Sequence, residues 1–531
     1  MYIINKWIFV FSGYFMSILK RLAKKVFNRT AVCVFGIAVQ MGYFASLCLG
    51  LGFCYNASYL IFQALGVVVS MLIINSDINP SYKIAWILVI MAFPIFGVMF
   101  YIFFGNSSSS NRLRKKMNPY IEHERLLLSQ NEKIIKKLAE TEPFPIARQA
   151  EYLTKFGGCA VYDNTKSVYL PSGEDKFAAL LDELEKARTF IYLEYFIIDE
   201  GKMWNSILEI LEKKAKQGVD VRVIYDDIGC LLTLPVKYDR VLEQKGIKCR
   251  VFNKFKPFIS KKMNNRDHRK IFIIDGKTAF TGGINLADEY INEFEKHGHW
   301  KDSAVMLKGQ AVQSFTVMFL TMWNYLSDVK PADYPSYLQI PENPEKNGAN
   351  GFVIPYTDSP LDDEPVGENV YLNIINNAQK YVYITSPYLV IDNEMQNALT
   401  LAAKSGVDVR IITPHVPDKW FVHSVTRAHY RKLTALGVKI YEYIPGFIHS
   451  KSFVSDDTTA VVGTINLDYR SFYLHFECAA WLYKTDCISD IKSDFLKTLD
   501  ECEEITYDDC LSVNIFVRAL RVVLKLFSPL M

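Results

Sequence analysis

Acidic side chains are almost missing from the opening stretch of this 531-residue chain: Asp77 is the only one among residues 1–111. The same stretch holds seven basic residues, Lys6, Lys20, Arg21, Lys24, Lys25, Arg29 and Lys83, a local charge of +6. The total is +3, so the remainder is −3. A basic head on a slightly acidic body argues against a general nucleic-acid binder, whose basic surface belongs on the folded domain. Charge of either sign is absent from Thr30–Ser76, 47 positions, and from Ile84–Asn111, 28 positions. None of the ten cysteines forms a C-x-x-C pair or lies near a His at zinc-ligand spacing. That argues against a disulfide scaffold and a structural zinc site. The thiols read as reduced and packed like small apolar side chains. With 22% charged and 50% apolar residues, the chain is not disordered.

The uncharged runs point to a membrane. A spanning helix needs roughly 20 apolar residues, and three candidates fit, at about 31–53, 57–75 and 84–104. The run is too long for a cleavable signal peptide and lacks a small-residue cleavage site. Basic clusters lie before the first candidate (Lys20 to Arg29) and after the last (Arg112, Arg114, Lys115, Lys116), which places both on the cytoplasmic side. An even number of crossings is then required, although three candidates are present. One is re-entrant or interfacial, with Pro94 a break in the third, or Trp7–Leu19 also enters the membrane. The reading taken is two crossings with a cytoplasmic catalytic body.

The body repeats itself. Gly218-Val219-Asp220-Val221-Arg222-Val223-Ile224 returns as Gly406-Val407-Asp408-Val409-Arg410-Ile411-Ile412, and Gly246-Ile247-Lys248 as Gly437-Val438-Lys439. A helical pattern precedes each copy, at Met203–Gln217 and Glu394–Ser405, and strand-like runs begin at Ile191 and Val382. Strand–helix–strand order with short apolar strands implies an α/β unit with a largely parallel sheet. Two such units suggest duplication and a site shared at their interface.

Each half then carries one polar constellation: His268, Lys270, Asp275 and Asn285, and again His449, Lys451, Asp456 and Asn466, at identical offsets. Chance repetition of three such offsets is on the order of one in a million. Residues i and i+2 of a strand face one side, so each His and Lys should share a pocket. Asp275-Gly276 and Asp456-Asp457 read as turns, and the bends Gly282-Gly283 and Gly463-Thr464 as places where backbone approaches an anion. Two His, two Lys and two Asn suit a phosphodiester. One imidazole attacks phosphorus, and the other moves a proton to the leaving alkoxide and from the incoming hydroxyl. The lysines and asparagines stabilise the non-bridging oxygens. No metal or other cofactor is required, since the lysines supply the positive charge.

These motifs resemble the phospholipase D superfamily. Further segments resemble its bacterial membrane-bound cardiolipin synthase branch: Lys83-Ile84-Ala85-Trp86-Ile87-Leu88, Pro94-Ile95-Phe96-Gly97, Asn265-Arg266-Asp267-His268-Arg269-Lys270, Gly282 through Tyr290, and Leu526-Phe527-Ser528-Pro529-Leu530. The resemblance covers the chain from about residue 57. It implies a duplicated phospholipase D-like α/β fold, two sandwich halves with one shared active site, preceded by transmembrane helices. It implies transfer of a phosphatidyl group between two phosphatidylglycerol molecules, giving cardiolipin and glycerol, with another alcohol or water as the alternative acceptor. It suggests His268 as nucleophile and His449 as general acid/base, or the reverse. It also implies an orienting acid for each imidazole. The candidates are Asp302 and Glu477, and the expectation is that they cross over, Glu477 serving His268 and Asp302 serving His449. The departure from the family pattern is Gly283, where a hydroxyl residue is often found.

The expected organisation is a basic segment (1–29), a transmembrane region (30–104), a linker with an amphipathic helix (105–150), two phospholipase D-like domains (151–335 and 336–510) and a C-terminal amphipathic helix (511–531). The basic loop at 254–266 reads as solvated or touching anionic headgroups. The C-terminal helix reads as interfacial rather than packed on the body. Anionic membrane lipids, not nucleic acid, are the expected partners. His297 and His299 read as a polar loop, since no third ligand lies near, and Glu194 as a pocket residue.

Overall fold

The computed structural model describes residues 52–105, 111–128, 132–255, 264–329, 349–362 and 364–530, with isolated helical positions 37, 38, 41, 42 and 45. The basic segment 1–29, most of the first candidate span, the centre of the basic loop (256–263) and the expected domain junction at 335/336 lie outside the described residues. The chain forms two compact units.

The first unit contains helices α1 (Gly52–Ile74), α2 (Pro80–Ala92) and α3 (Pro94–Phe104). Asn79 caps α2 by accepting from the Ser81 amide at 3.0 Å, with Pro80 in the first turn, where its missing N–H costs nothing. The third candidate span is not one helix. Pro94 has no N–H to give and clashes with the preceding turn, so the segment divides into helices of 13 and 11 residues. At 1.5 Å per residue these reach only about 20 and 17 Å. A Cβ on Gly97 would lie 2.6 Å from the Ile90 Cα, so glycine permits the close return of α3 onto α2. Trp86 packs on Phe100, with ring centres 5.5 Å apart. No helix among the described residues is long and apolar enough to cross a membrane.

The second unit begins with α4 (Asn111–Leu127), α5 (Glu132–Thr141) and α6 (Phe144–Lys155). Within the segment expected as a linker with an amphipathic helix, Leu113, Met117, Leu138 and Ala150 are buried. The first half then runs through β1 (Thr165–Leu170), α7 (Gly173–Glu185), β2 (Phe190–Tyr195), α8 (Lys202–Lys216), β3 (Asp220–Asp226), α9 (Tyr238–Gln244) and β4 (Lys248–Phe252). It continues with β5 (Arg266–Asp267), β6 (Lys270–Ile274), β7 (Thr278–Gly282), β8 (His299–Lys301), β9 (Ala304–Gly309) and α10 (Val312–Ser327). The second half repeats the plan: β10 (Phe352–Asp358), α11 (Val366–Asn377), β11 (Tyr381–Thr385), β12 (Leu389–Val390), α12 (Asn393–Lys404), β13 (Asp408–Pro414), α13 (Trp420–Ala435) and β14 (Lys439–Tyr443). It ends with β15 (Gly446–Ile448), β16 (Ser452–Ser455), β17 (Thr459–Gly463), β18 (Leu467–Asp468), α14 (Tyr469–Tyr473), β19 (His475–Tyr483), α15 (Ile488–Leu499), β20 (Cys502–Ile505), α16 (Tyr507–Ser512) and α17 (Ile515–Phe527).

The sheets are ordered β1-β9-β7-β6-β2-β3-β4 and β10-β19-β17-β16-β11-β13-β14-β20. They are mixed rather than largely parallel. β2, β3 and β4 are parallel, as are β11, β13 and β14, but each histidine motif forms an antiparallel hairpin, β6–β7 or β16–β17. The turns at Asp275-Gly276 and Asp456-Asp457 are too short for a crossover, which a parallel pair would need. One face of each sheet contributes to a shared core with α10 and α15, where Tyr192, Ile273 and Phe319 join Val454, Val462 and Leu482. The opposite faces are covered by α7–α9 and by α11–α13.

The repeated Asp-Val-Arg segments are folding landmarks. Asp220 pairs with Arg222 and Lys248, each at 2.7 Å. Asp408 pairs with Arg410 at 2.7 Å and with Lys439 at 2.8 Å. The arginines lie 5.0 and 5.1 Å from the ring centres of Tyr192 and Tyr383.

Candidate active site

The two histidines precede their strands and are set by pairing with the other half. β5 runs parallel to the start of β19, with Arg266 opposite His475 and Asp267 opposite Phe476. The next residues are His268 and Glu477. β15 likewise runs parallel to β8, with Phe447 opposite Trp300 and Ile448 opposite Lys301. The next residues there are His449 and Asp302. The His268 amide donates to the Phe476 carbonyl at 2.9 Å, and the His449 amide to the Lys301 carbonyl at 2.7 Å. Backbone registration thus places each imidazole beside an acid of the opposite half. His268 Nδ1 is 2.9 Å from both carboxylate oxygens of Glu477, and His449 Nδ1 is 2.7 Å from Asp302 Oδ2.

Both acids are fully buried and both imidazoles are 7% exposed. With Nδ1 as the donor to a carboxylate, Nε2 carries the free lone pair. Burial, with lesser contributions from Lys270 and Lys451, holds His268 well below the usual imidazole range. Burial and Lys451 lower His449 to about 4, against the opposing pull of Asp302. Burial alone would raise Asp302, but His449 and Lys451 hold it below its ordinary value. Both imidazoles are therefore neutral at neutral pH, as an attacking nitrogen requires.

Each lysine bends back on its own motif: Lys270 Nζ donates to the His268 carbonyl at 2.7 Å, and Lys451 Nζ to the His449 carbonyl. Burial lowers Lys270 to about 8 and Lys451 to about 7. The asparagines differ. Asn285 is engaged, accepting from the Ile197 amide and donating to the Tyr290 hydroxyl at 2.5 Å. Asn466 is buried with its Oδ1 unpaired.

Asp275 and Asp456 are not brought to the histidines. Each closes the turn at the far end of its strand. Asp275 accepts from the amides of Arg188, Thr189 and Phe190 at 2.7 to 3.0 Å, and Asp456 from those of Gln379, Lys380 and Tyr381 at 2.7 to 3.0 Å. Both have positive φ, 52° and 53°. Their place in the motif reflects strand length: each lies five residue steps, about 16 Å of extended chain, beyond its lysine. The glycine bends also differ from expectation. A Cβ on Gly282 or Gly463 would strike the Cα of Ala304 or Ala479 at 2.5 or 2.6 Å. These glycines admit a neighbouring strand.

The departure at Gly283 has a local cause. A Cβ there would lie 2.2 Å from Asp302 Oδ1, and Asp302 instead accepts from the Ser303 amide at 2.7 Å. In the other half, the Thr464 hydroxyl donates to Glu477 at 2.5 Å. In that half the hydroxyl serves the orienting acid.

Several surrounding residues gave no readable signal in the sequence. Phe196 and His475 flank His268, with ring centres 5.1 and 5.5 Å away, while Tyr290 and Trp300 flank His449 at 5.6 Å each. Burial lowers Lys176 to about 7 as it donates to the Tyr195 hydroxyl and the Ile284 carbonyl. Glu194 is not a pocket residue; it pairs with Arg269 at 2.5 Å in the interior. Ligand atoms of His268, His475 and Glu477 lie within 4.8 Å of one another, so these three could hold a metal ion. The same closeness describes two imidazoles sharing one carboxylate.

A duplicated α/β body, with two imidazoles held across the half–half interface, is the architecture of the phospholipase D superfamily. The family profile "Cardiolipin synthase, PLD-like domain" matches residues 180–323 and 371–499, and "Phospholipase_D-nuclease N-terminal" matches 64–106. A cardiolipin synthase of Geobacillus sp. (strain WCH70) is 35% identical, covering 88% of this chain and 92% of its own. One of Halalkalibacterium halodurans is 32% identical, covering 95% and 100%. A Streptococcus mutans protein of unassigned activity is 48% identical, covering 86% and 98%. Among solved structures, a phosphatidylserine synthase of Haemophilus influenzae shares the fold at 15% identity, TM-score 0.54, covering 72% of this chain and 97% of that one. The chain belongs to the cardiolipin synthase family, and it is a phosphatidyltransferase of the phospholipase D superfamily.

Proposed function

We propose that the protein transfers a phosphatidyl group from one phosphatidylglycerol to another, releasing glycerol. In this reading His268 Nε2 attacks phosphorus and the P–N bond forms as the bond to the headgroup glycerol breaks. His449 gives its proton to that alkoxide, and glycerol leaves. A hydroxyl of a second phosphatidylglycerol then gives its proton to His449 as its oxygen attacks phosphorus, which breaks the P–N bond and frees His268. Glu477 and Asp302 hold the imidazoles in the required tautomers, and Lys270 and Lys451 face the phosphate charge. The substrate's negative charge opposes the lowering of His449, so its proton is acquired with substrate in place. Asp275 and Asp456 act on the site through the strands they anchor.

The observation that carries this reading is the crossed pairing, His268 with Glu477 and His449 with Asp302, at two imidazoles only 7% exposed. Imidazoles this little exposed favour an alcohol acceptor over hydrolysis. We further propose that the first unit is a multi-pass attachment to the cytoplasmic membrane, with the catalytic body on the cytoplasmic side. Supporting this, α1 is uncharged and leaves Leu60, Ile61, Met71 and Leu72 each at least 63% exposed. The test is purified protein in mixed micelles with labelled phosphatidylglycerol, with and without a chelator. Cardiolipin plus glycerol in both arms is expected. Phosphatidic acid alone would make the protein a hydrolase, and loss of activity on chelation would contradict the metal-free steps.

A further inference from the structure

The last helix is inside out for a water-facing surface. A helix on a soluble body normally buries its apolar stripe and shows charge to solvent. On α17 the outward residues are apolar: Phe516 is 80% exposed, with Val523 and Leu520 beside it, while Ile515 and Val522, also exposed, reach the cleft between α17 and α13. Its cations, Arg518, Arg521 and Lys525, instead line that cleft, of about 660 Å³, against α13, whose Arg427, Arg431 and Lys432 form the other wall. Two of these six are engaged. Arg427 pairs with Glu442 at 2.6 Å, and Arg518 donates to the Leu511 and Val513 carbonyls. Among the described residues, Arg431, Lys432, Arg521 and Lys525 form no ion pair, and the buried Nε of Arg521 has no hydrogen-bond partner. His429, on α13, is 2% exposed with both ring nitrogens unpaired. Burial first, then the charges of Lys525 and Lys432, keep it neutral. Burial and Lys432 also lower Lys525. Six cations are thus gathered around one carboxylate, Glu442, which Arg427 already engages.

We propose that the α13–α17 cleft binds the phosphate headgroup of an anionic phospholipid, with the outward face of α17 in the acyl layer beside it. Both halves of the arrangement match one occupant. A lipid offers negative charge at headgroup depth and hydrocarbon just below it. A second copy of this chain would cover the apolar face, but it would bring the same positive cleft to the contact. The site is separate from the paired histidines, and it rests on the reading that the enzyme works at an anionic membrane.

The test uses the full-length protein in nanodiscs of phosphatidylcholine and phosphatidylglycerol in a 7:3 ratio. Trace phosphatidylglycerol or phosphatidylcholine with a photoactivatable acyl chain is added, and adducts on residues 515–527 are quantified by mass spectrometry. Preferential labelling by phosphatidylglycerol is expected. In R431Q/K432Q/K525Q that preference should fall to parity, while R431K/K525R should retain it. Because the labelling needs no turnover, the outcome is independent of the catalytic reading. Turnover of a water-soluble short-chain phosphatidylglycerol should be unchanged in the triple variant. Equal labelling by both lipids in the parent, no adducts on 515–527, or an unaltered preference in the triple variant overturns the proposal. Abolition of the preference by millimolar inorganic phosphate would make the cleft a site for free phosphate instead.

Discussion

The crossed acids make a prediction that separates the two histidines. Asp302→Asn keeps shape and burial but removes the charge that accepts from His449 Nδ1 at 2.7 Å. The amide can offer an N–H there, which favours the proton on Nε2, the wrong tautomer for accepting one. Asp302 is fully buried, so water cannot substitute for it. In the Ser-His-Asp template, the equivalent change lowers turnover about 10⁴-fold, or about 5 kcal/mol. Similar losses are expected here for Asp302→Asn and Glu477→Gln with phosphatidylglycerol, with KM little changed, since neither acid is placed on substrate. A substrate whose leaving group needs no proton, such as a p-nitrophenyl ester of phosphatidic acid, divides the two. The first step then requires only the nucleophile. If His268 attacks, Asp302→Asn should still release one equivalent of nitrophenolate in a rapid burst, and Glu477→Gln should show none. The reverse pattern would exchange the two roles. Identical bursts in both variants would refute the reasoning that each acid serves one imidazole.

Four further outcomes follow. The lysine charges, which in the proposed mechanism face the phosphate, are present below their lowered values of about 8 and 7 and lost above them. KM for phosphatidylglycerol should therefore rise through that range. The neutral imidazoles put the acid limb of kcat/KM below 6.5. Asp275→Asn and Asp456→Asn should each lower stability by about 1–3 kcal/mol through weakened backbone bonds, read as a drop in Tm. Turnover per folded molecule should stay within about threefold; its abolition with a native melting curve would put these carboxylates in the chemistry. Gly283→Ser drives a Cβ to within 2.2 Å of Asp302 Oδ1. A loss of at least about 10²-fold in turnover is expected, whereas wild-type rates would show that Asp302 has room to move.

The sequence by itself determined the duplication, the residue types at the site and the chemistry those types suit. These are local facts. A strand's period of two couples His to Lys, and a fixed strand length carries Asp275 and Asp456 along at a constant offset. That same offset misled, because a constant spacing records equally well a residue in the pocket and one that ends the strand beneath it. The mixed sheet direction is written in the short turns at Asp275-Gly276 and Asp456-Asp457, whereas the strand–helix–strand rhythm describes only the parallel strands. Pro94 marked where the third candidate span breaks, but its division into two short helices is a matter of packing around Gly97. Tertiary structure alone decided which acid stands beside which imidazole, since β5 must pair with β19 and β15 with β8, at sequence separations near two hundred and one hundred and fifty residues. It also decided which side of α17 faces outward. An amphipathic pattern fixes that a helix has two faces, not which of them the body takes. Here the face that carries Arg518, Arg521 and Lys525 lies against α13, a juxtaposition that the α17 sequence does not reveal.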